Sequence, residues 1–146
     1  MNRKILHATE TVYDGIKFRS QLEKRVYIIL KEEGYTPEYE NDTIMLMESF
    51  RPNQTWYIDG NAQITKKGKN IIVPKKSYTP DFKLSLGSLT VYIEAKGHPN
   101  DIYPTTRKMF LKWIDEQERE IIFSEIHSIK GLRKFIEVLK QLKTDE

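Results

Sequence analysis

The stretch SYTPDFKLSLGSLTVYIEAKG, Ser77–Gly97, is the most informative part of the sequence, because it contains two alternating apolar–polar segments joined by a glycine-containing turn. Apolar residues occupy every second position on both sides of Gly87-Ser88, as expected for two half-buried strands joined by a two-residue loop. A loop of this length places Asp81 opposite Glu94 and puts Lys96 on the same face. Directly opposed residues have Cβ atoms about 4.5–5.5 Å apart. The sequence therefore predicts two carboxylates and one ammonium group at one end of a hairpin.

Two opposed carboxylates repel each other unless something binds between them. A divalent cation such as Mg²⁺ would relieve the repulsion between Asp81 and Glu94, since Mg²⁺ takes hard oxygen ligands and keeps several waters. The ammonium group of Lys96 could then hold a water or a phosphate oxygen near the metal, which suits phosphodiester hydrolysis. The Asp/Glu-x-Lys pattern also occurs at Asp81-Phe82-Lys83, so a surface-charged hairpin is the alternative explanation.

A helix that carries an acidic residue precedes the hairpin. Ser20 and Glu23 have the spacing of a capping box, apolar residues then recur at helical spacing, and Gly34 ends the pattern. The sequence therefore predicts a first helix over about 20–33. As the capping partner of Ser20, Glu23 has a purely structural explanation.

The chain between helix and hairpin contains short β-prone pieces separated by turn-like residues, and 42–76 is predicted to be a β-rich insertion. Within it, Trp56–Lys76 is expected to form a β-hairpin that projects lysines toward DNA. The last eleven residues of this stretch contain no acidic residue and five lysines, namely Lys66, Lys67, Lys69, Lys75 and Lys76. Clustered cations of this kind can contact phosphates, and a solvated protein surface can have the same composition.

The sequence after the hairpin predicts two more helices and one strand. Apolar residues at helical spacing predict a second helix over Thr105–Glu118, Ile121–Phe123 is expected to be a short buried strand, and Ser128 is expected to cap a final helix. No repeat or Pro/Gly linker interrupts the chain, so 1–146 is interpreted as a single domain. The predicted fold class is α/β, with a mixed β-sheet flanked by helices.

The composition excludes several kinds of chemistry. The 146 residues include no cysteine, which removes disulfides and cysteine-based zinc or redox sites and fits a cytoplasmic protein. The N-terminal segment lacks the apolar core of a signal peptide, and the apolar runs are far shorter than the roughly 20 residues that cross a bilayer. We therefore expect a soluble protein with no membrane partner. The net charge of +3 does not by itself indicate nucleic-acid binding.

Two motifs give the chain a family resemblance. Tyr78–Phe82, YTPDF, followed by Val91–Gly97, VYIEAKG, resembles the core signature of the PD-(D/E)xK nuclease superfamily. The order of elements is most similar to the phage endonuclease I family, which resolves branched DNA. The resemblance covers 20 to about 124, except that 42–76 is unmatched. It implies a restriction-endonuclease-like fold, a Mg²⁺- or Mn²⁺-dependent endodeoxyribonuclease, and a homodimer in the cytoplasm of a bacterium or phage-infected cell.

The resemblance also implies roles for individual residues. It implies that Lys96 is the catalytic lysine. Arg107 and Lys108 follow the catalytic strand and are expected to contact phosphates, with a salt-bridged surface as the alternative. The positions that match the family's metal ligands are Asp81, Glu94, the backbone carbonyl of Ala95 and, on the first helix, Glu23.

Two other functions remain open at this point. The nuclease subunit of heteromeric transposases has a similar Thr-Pro-Asp-Phe strand, although its second motif often carries Gln where this chain has Glu94. The other alternative is a non-catalytic DNA-binding module on the same fold. Metal-dependent cleavage separates both enzymes from the binding module, and a preference for four-way junctions over linear duplex separates the two enzymes.

Overall fold

A computed structural model describes residues 9–64, 72–97 and 102–144. These residues form three helices, namely α1 (Gln21–Glu32), α2 (Tyr103–Asp115) and α3 (Ile129–Thr144). They also form ten strands, namely β1 (Thr11–Tyr13), β2 (Ile16–Phe18), β3 (Glu38–Tyr39), β4 (Ile44–Met47), β5 (Trp56–Ile58), β6 (Asn61–Ile64), β7 (Lys76–Tyr78), β8 (Phe82–Leu86), β9 (Leu89–Ala95) and β10 (Ile121–Ile126). Within these ranges, none of the helices combines the length and apolar character needed to cross a bilayer.

The hairpin predicted from Ser77–Gly97 is present in the expected register. β8 and β9 are antiparallel, with Phe82 opposite Ile93 and Leu86 opposite Leu89. Gly87 has a φ of 62°, a left-handed conformation that glycine adopts without steric cost. Because the loop fixes the pairing, the apolar residues of both strands face one side of the sheet and the polar ones face the other.

The hairpin is the centre of a mixed four-stranded sheet with the order β10-β9-β8-β3. β8 is antiparallel to both β3 and β9, whereas β9 and β10 are parallel and are connected through α2. Parallel neighbours need a long crossover connection, usually a helix. The prediction of a mixed α/β architecture is therefore confirmed.

The last strand differs from its prediction. We expected a short buried strand at Ile121–Phe123, but β10 continues to Ile126, and only Ile126 is fully buried. The reason is that parallel pairing with β9, and not local apolar content, sets the length of β10. As the outer strand of the sheet, β10 is covered less completely than β9.

Two apolar clusters hold the helices against opposite faces of the sheet. On one face, Leu84 and Val91 are buried with side chains of α1 and α3, including Leu30 and Leu132. On the other face, Tyr92 is buried in a cluster that includes Tyr78 and, from α2, Phe110. Complete burial of such a side chain contributes about 1.5–3 kcal/mol relative to exposure. The sheet is therefore fixed from both sides, and so are the ends of its strands.

The helix starts follow from their capping residues. The Ser20 hydroxyl accepts a hydrogen bond from the Glu23 amide at 3.1 Å, so the predicted cap of α1 is confirmed. Ser128 likewise accepts from the Gly131 amide at 3.1 Å, at the start of α3. The predicted bounds of α2 are wrong by a few residues, because Pro104 occupies the first turn, where its missing N–H costs nothing.

The described residues of the segment 42–76 are β-rich, as predicted, but they form a hairpin that is shorter than expected. β5 and β6 pair around Asp59 and Gly60, which have positive φ angles of 49° and 75°. The expected hairpin over Trp56–Lys76 is wrong, because Lys76 belongs to β7, which pairs with β4. That pairing places Ile44 opposite Tyr78, and both are buried in the cluster beneath α2.

Candidate active site

The four side chains expected to carry chemistry come from elements that meet at one end of the main sheet. Glu23 lies in the first turn of α1, Asp81 immediately precedes β8, Glu94 lies in β9, and Lys96 follows it. The three carboxyl residues are at most 8 % exposed, and the Lys96 side chain is 14 % exposed. Because isolated buried charges are strongly unfavourable, these groups must compensate one another, hold protons, or bind something.

Hydrogen bonds join the carboxyls of the hairpin. The Ala95 amide donates to Asp81 Oδ2 at 2.8 Å, and the backbone of Asp81 hydrogen-bonds to the Glu94 carboxyl. The Tyr78 hydroxyl donates to Glu94 Oε2 at 2.6 Å. Lys96 Nζ lies 4.0 Å from Glu94 Oε1. The hairpin thus brings Asp81, Glu94 and Lys96 together, and Tyr78 sets the orientation of Glu94.

The carboxyl of Glu23 is held by two hydroxyls and not by the helix backbone. Ser20 Oγ donates to Glu23 Oε2 at 2.9 Å, and the Tyr39 hydroxyl donates to Glu23 Oε1 at 3.0 Å. In an ordinary capping box, the glutamate would reach back to the N-cap amide. Here the carboxyl is directed toward Asp81 instead. The structural and functional explanations of Glu23 are therefore compatible.

A further carboxylate, Glu40, was not predicted. Carboxylate oxygens of Glu23, Glu40 and Asp81 lie within 4.8 Å of one another, and Glu94 lies outside this set. The Glu40 amide donates to the Asp81 carbonyl at 2.9 Å, and Arg19 pairs with its side chain at 2.9 Å. Such clusters also occur without a metal ion. The only local signal for Glu40 was its place directly after the β-prone Tyr39.

Burial favours the protonated forms of Asp81 and Glu94 in the metal-free protein. Burial raises the pKa of Asp81 well above its usual value, and the charges of Glu94 and Glu23 raise it further. The pKa of Glu94 is raised because burial outweighs the hydrogen bond from Tyr78 and the charge of Lys96. A bound cation would displace these protons, since metal ligands must be deprotonated.

This arrangement predicts how the stability of the metal-free protein depends on pH. Because the pKa of Asp81 lies well above its usual value, the folded state holds the Asp81 proton in a pH range where the unfolded chain has lost it. Its contribution to the free energy of unfolding is complete below about pH 4 and falls as the pH rises through the folded pKa. Asp81→Asn should remove this fall.

Urea unfolding of both proteins in EDTA, from about pH 5 to pH 8, measures the effect. Wild type and variant are compared with each other because both contain Asp42 and Glu125, which have lowered pKa values. These two groups make the free energy of unfolding change in the opposite direction at lower pH. Burial raises the pKa of both groups, but hydrogen bonds lower it by more. Asp42 accepts hydrogen bonds from Tyr92 and Lys83, and Glu125 accepts them from His127, Tyr103 and Arg107. Parallel curves for wild type and Asp81→Asn would show that Asp81 is not protonated as described.

The structure describes only two of the five lysines of 66–76 that were predicted to contact DNA. Lys66, Lys67 and Lys69 lie outside the described residues. Lys75 is exposed, whereas Lys76 is half-buried in β7. The prediction of a lysine-bearing surface in this segment therefore stays a prediction.

The two basic residues of α2 that were predicted to contact phosphates differ from each other. Arg107 donates to both carboxylate oxygens of Glu125, at 3.0 and 3.2 Å. Lys108 is exposed. In the protein without DNA, Arg107 therefore fits the alternative of a salt-bridged surface. A DNA phosphate could contact Arg107 only by sharing its guanidinium with Glu125 or by replacing Glu125.

Comparison with known proteins adds no assignment. No protein-family model matches the chain, and no curated protein matches it significantly. The functional conclusion therefore depends on the geometry of the site and on the resemblance of its two motifs.

Proposed function

We propose that the protein is a Mg²⁺- or Mn²⁺-dependent endodeoxyribonuclease with a restriction-endonuclease-like fold. The observation that carries the proposal is the burial of Asp81, Glu94 and Glu23 beside Lys96 at one end of the sheet. A surface-charged hairpin, the alternative from the sequence, would leave these groups in solvent. Buried carboxyls with raised pKa values, such as Asp81 and Glu94, that lie together beside a lysine are typical of functional sites.

The donor set fits a hard divalent cation. Carboxylates and a backbone carbonyl are the ligands that Mg²⁺ and Mn²⁺ prefer. Asp81, Glu94 and the Ala95 carbonyl would hold the ion, with Glu23 as the additional acidic ligand. A bound ion would supply an activated water and compensate negative charge on the phosphate.

The other residues of the site hold and orient the reacting groups. Lys96 places a positive charge at the edge of the carboxyl cluster, where it can orient a water or contact a phosphate oxygen. Tyr78 fixes Glu94, while Ser20 and Tyr39 fix Glu23. These hydroxyls keep the carboxylates in place without adding charge.

The substrate class follows from the resemblance and from charge. The phage endonuclease I likeness favours branched DNA, cut by a homodimer in which each copy nicks one strand. The basic residues expected to contact the backbone lie in the segment 66–76 and at the start of α2. Such contacts position DNA without reading its sequence. We therefore propose backbone and branch recognition and not sequence recognition.

The test is incubation of the metal-stripped protein with supercoiled, linear and four-way-junction DNA, with Mg²⁺, Mn²⁺, Ca²⁺ or EDTA. The proposal expects cutting with Mg²⁺ or Mn²⁺, none with EDTA, and binding without cutting in Ca²⁺, whose looser shell positions water poorly. Preference for the junction supports a resolving enzyme. Binding without any cutting would leave a DNA-binding module.

Glu40 provides a separate prediction about the metal. If Glu40 adds negative charge to the ion's surroundings, Glu40→Ala should raise the Mg²⁺ concentration for half-maximal cleavage about tenfold. Glu38→Ala is the matched control, because Glu38 is an exposed glutamate of β3, two residues before Glu40. Equal Mg²⁺ dependence of the two variants would assign Glu40 to its ion pair with Arg19 alone.

A further inference from the structure

The ammonium group of Lys96 lies against an aromatic ring. Lys96 Nζ is 4.2 Å from the centroid of the Tyr103 ring and 4.0 Å from Glu94 Oε1. The backbone amide of Lys96 donates to the Ile126 carbonyl at 2.8 Å. Both ends of the lysine are therefore located, the backbone by β10 and the ammonium group by a ring and a carboxylate.

Tyr103 is itself firmly placed. It is the first residue of α2, is followed by Pro104, and is 6 % exposed in the cluster that contains Tyr78 and Phe110. Burial and the nearby Glu125 carboxylate raise its pKa, so the ring remains a neutral phenol. A neutral, buried ring offers a fixed negative face to a cation.

The same ring is also close to Arg107. The Arg107 guanidinium carbon lies 5.8 Å from the ring centroid, and Glu125 holds the guanidinium through two hydrogen bonds. The Tyr103 ring is thus close to both Lys96 and Arg107. Its position links the start of α2 to the end of β9.

A ring differs from a carboxylate as a partner for lysine. Lysine has a flexible stem and three N–H donors, so holding it costs side-chain entropy. A carboxylate partner would use donors, whereas a ring face attracts the cation and leaves donors free for water or phosphate. This is what a lysine that must contact a reacting group requires.

We propose that Tyr103 is the positioning residue of Lys96, and that its ring face keeps the ammonium group beside Glu94 with donors free for the reaction. The inference rests on the proposed nuclease function. It predicts that the ring matters and the hydroxyl does not. It also predicts that the ring acts on the chemical step and not on DNA affinity.

The test compares Tyr103→Phe, which keeps the ring, with Tyr103→Met, which keeps bulk without it. Single-turnover cleavage with Mg²⁺ should be unchanged in Tyr103→Phe and about tenfold slower in Tyr103→Met. DNA affinity in Ca²⁺ should be the same in all proteins. Phe123→Met is the packing control, because Phe123 belongs to the same cluster and contacts Phe110; its rate should stay at the wild-type level.

A double-mutant cycle separates positioning from packing. In the Lys96→Ala background, Tyr103→Met should cause no further loss, because the group that it positions is gone. A loss as large as in the wild-type background overturns the inference, and so does a wild-type rate for Tyr103→Met. If the wild type cuts no DNA at all, the proposed function fails and the inference fails with it.

An NMR spectrum of the wild type tests the same contact without requiring activity, and it remains informative if a variant does not fold. In the NMR spectrum of the wild type, the Lys96 side-chain protons should be shifted upfield by the ring, and Tyr103→Phe should keep that shift. The assignment comes from the signal missing in Lys96→Ala. Lys96 protons at unshifted positions in the wild type would overturn the inference.

Discussion

Lys96→Ala is expected to lower the single-turnover rate of DNA cleavage about 10²–10³-fold, the usual effect of removing one electrostatic contact to a transition state. The side chain is mostly buried, so its loss removes a positive charge that lies 4.0 Å from Glu94 Oε1. All three acidic residues remain, and the protein should still bind a divalent cation and DNA. Binding in Ca²⁺ and cleavage in Mg²⁺ are measured on the same substrate.

Lys83→Ala is the matched control for this prediction. Lys83 occupies the lysine position of the other Asp/Glu-x-Lys pattern, but its ammonium group pairs with Asp42 at 3.0 Å. The variant should cut at the wild-type rate. If Lys96→Ala cuts as fast as Lys83→Ala, the mechanism is wrong even if the protein is a nuclease.

Asp81→Asn is expected to abolish cleavage and, in metal-free buffer, to stabilise the fold. The substitution replaces a proposed metal ligand by a neutral amide, which can still accept the hydrogen bond from the Ala95 amide. It also removes a buried carboxyl that is surrounded by Glu94 and Glu23 and has a raised pKa. At pH 8 in EDTA its melting temperature should exceed that of the wild type, and added Ca²⁺ should raise only the wild-type value.

Asp42→Asn gives the opposite expectation in the same assay. Asp42 accepts hydrogen bonds from Tyr92 and Lys83, and these lower its pKa although burial opposes them. Its replacement should therefore destabilise the protein and leave the Ca²⁺ effect intact. A Ca²⁺-dependent stabilisation that survives in Asp81→Asn would place the cation elsewhere.

The hairpin could be predicted because its information is local. Alternation with a period of two fixes the faces of the strands, and a two-residue loop fixes their register. Asp81 and Glu94 could therefore be paired from the sequence alone. The caps of α1 and α3 were equally readable, since Ser20 and Ser128 act within their own helices.

The parts that were missed depend on contacts between distant segments. Glu40 joins the site because β3 pairs with β8, with Tyr39 opposite Phe82, and two-residue strands have no periodicity to read. The length of β10 comes from parallel pairing across α2. The position of Lys76 in β7 depends on β4.

The aromatic contact of Lys96 was missed for a similar reason. The sequence places Tyr103 just before the helix predicted over Thr105–Glu118 and gives no sign of a contact with Lys96. Its ring reaches Lys96 because α2 begins at Tyr103 and returns over the sheet from β9. No local pattern in the sequence indicates that these two side chains are in contact.

The proposed function requires that Asp81 and Glu94 hold a divalent cation beside Lys96. The most direct measurement is anomalous X-ray scattering from crystals of the protein with bound Mn²⁺. We expect one strong peak bonded to carboxylate oxygens of Asp81 and Glu94, and we expect this peak to be absent from crystals of Asp81→Asn. A wild-type map without a peak there, or with one bonded only to Glu23 and Glu40, would contradict it.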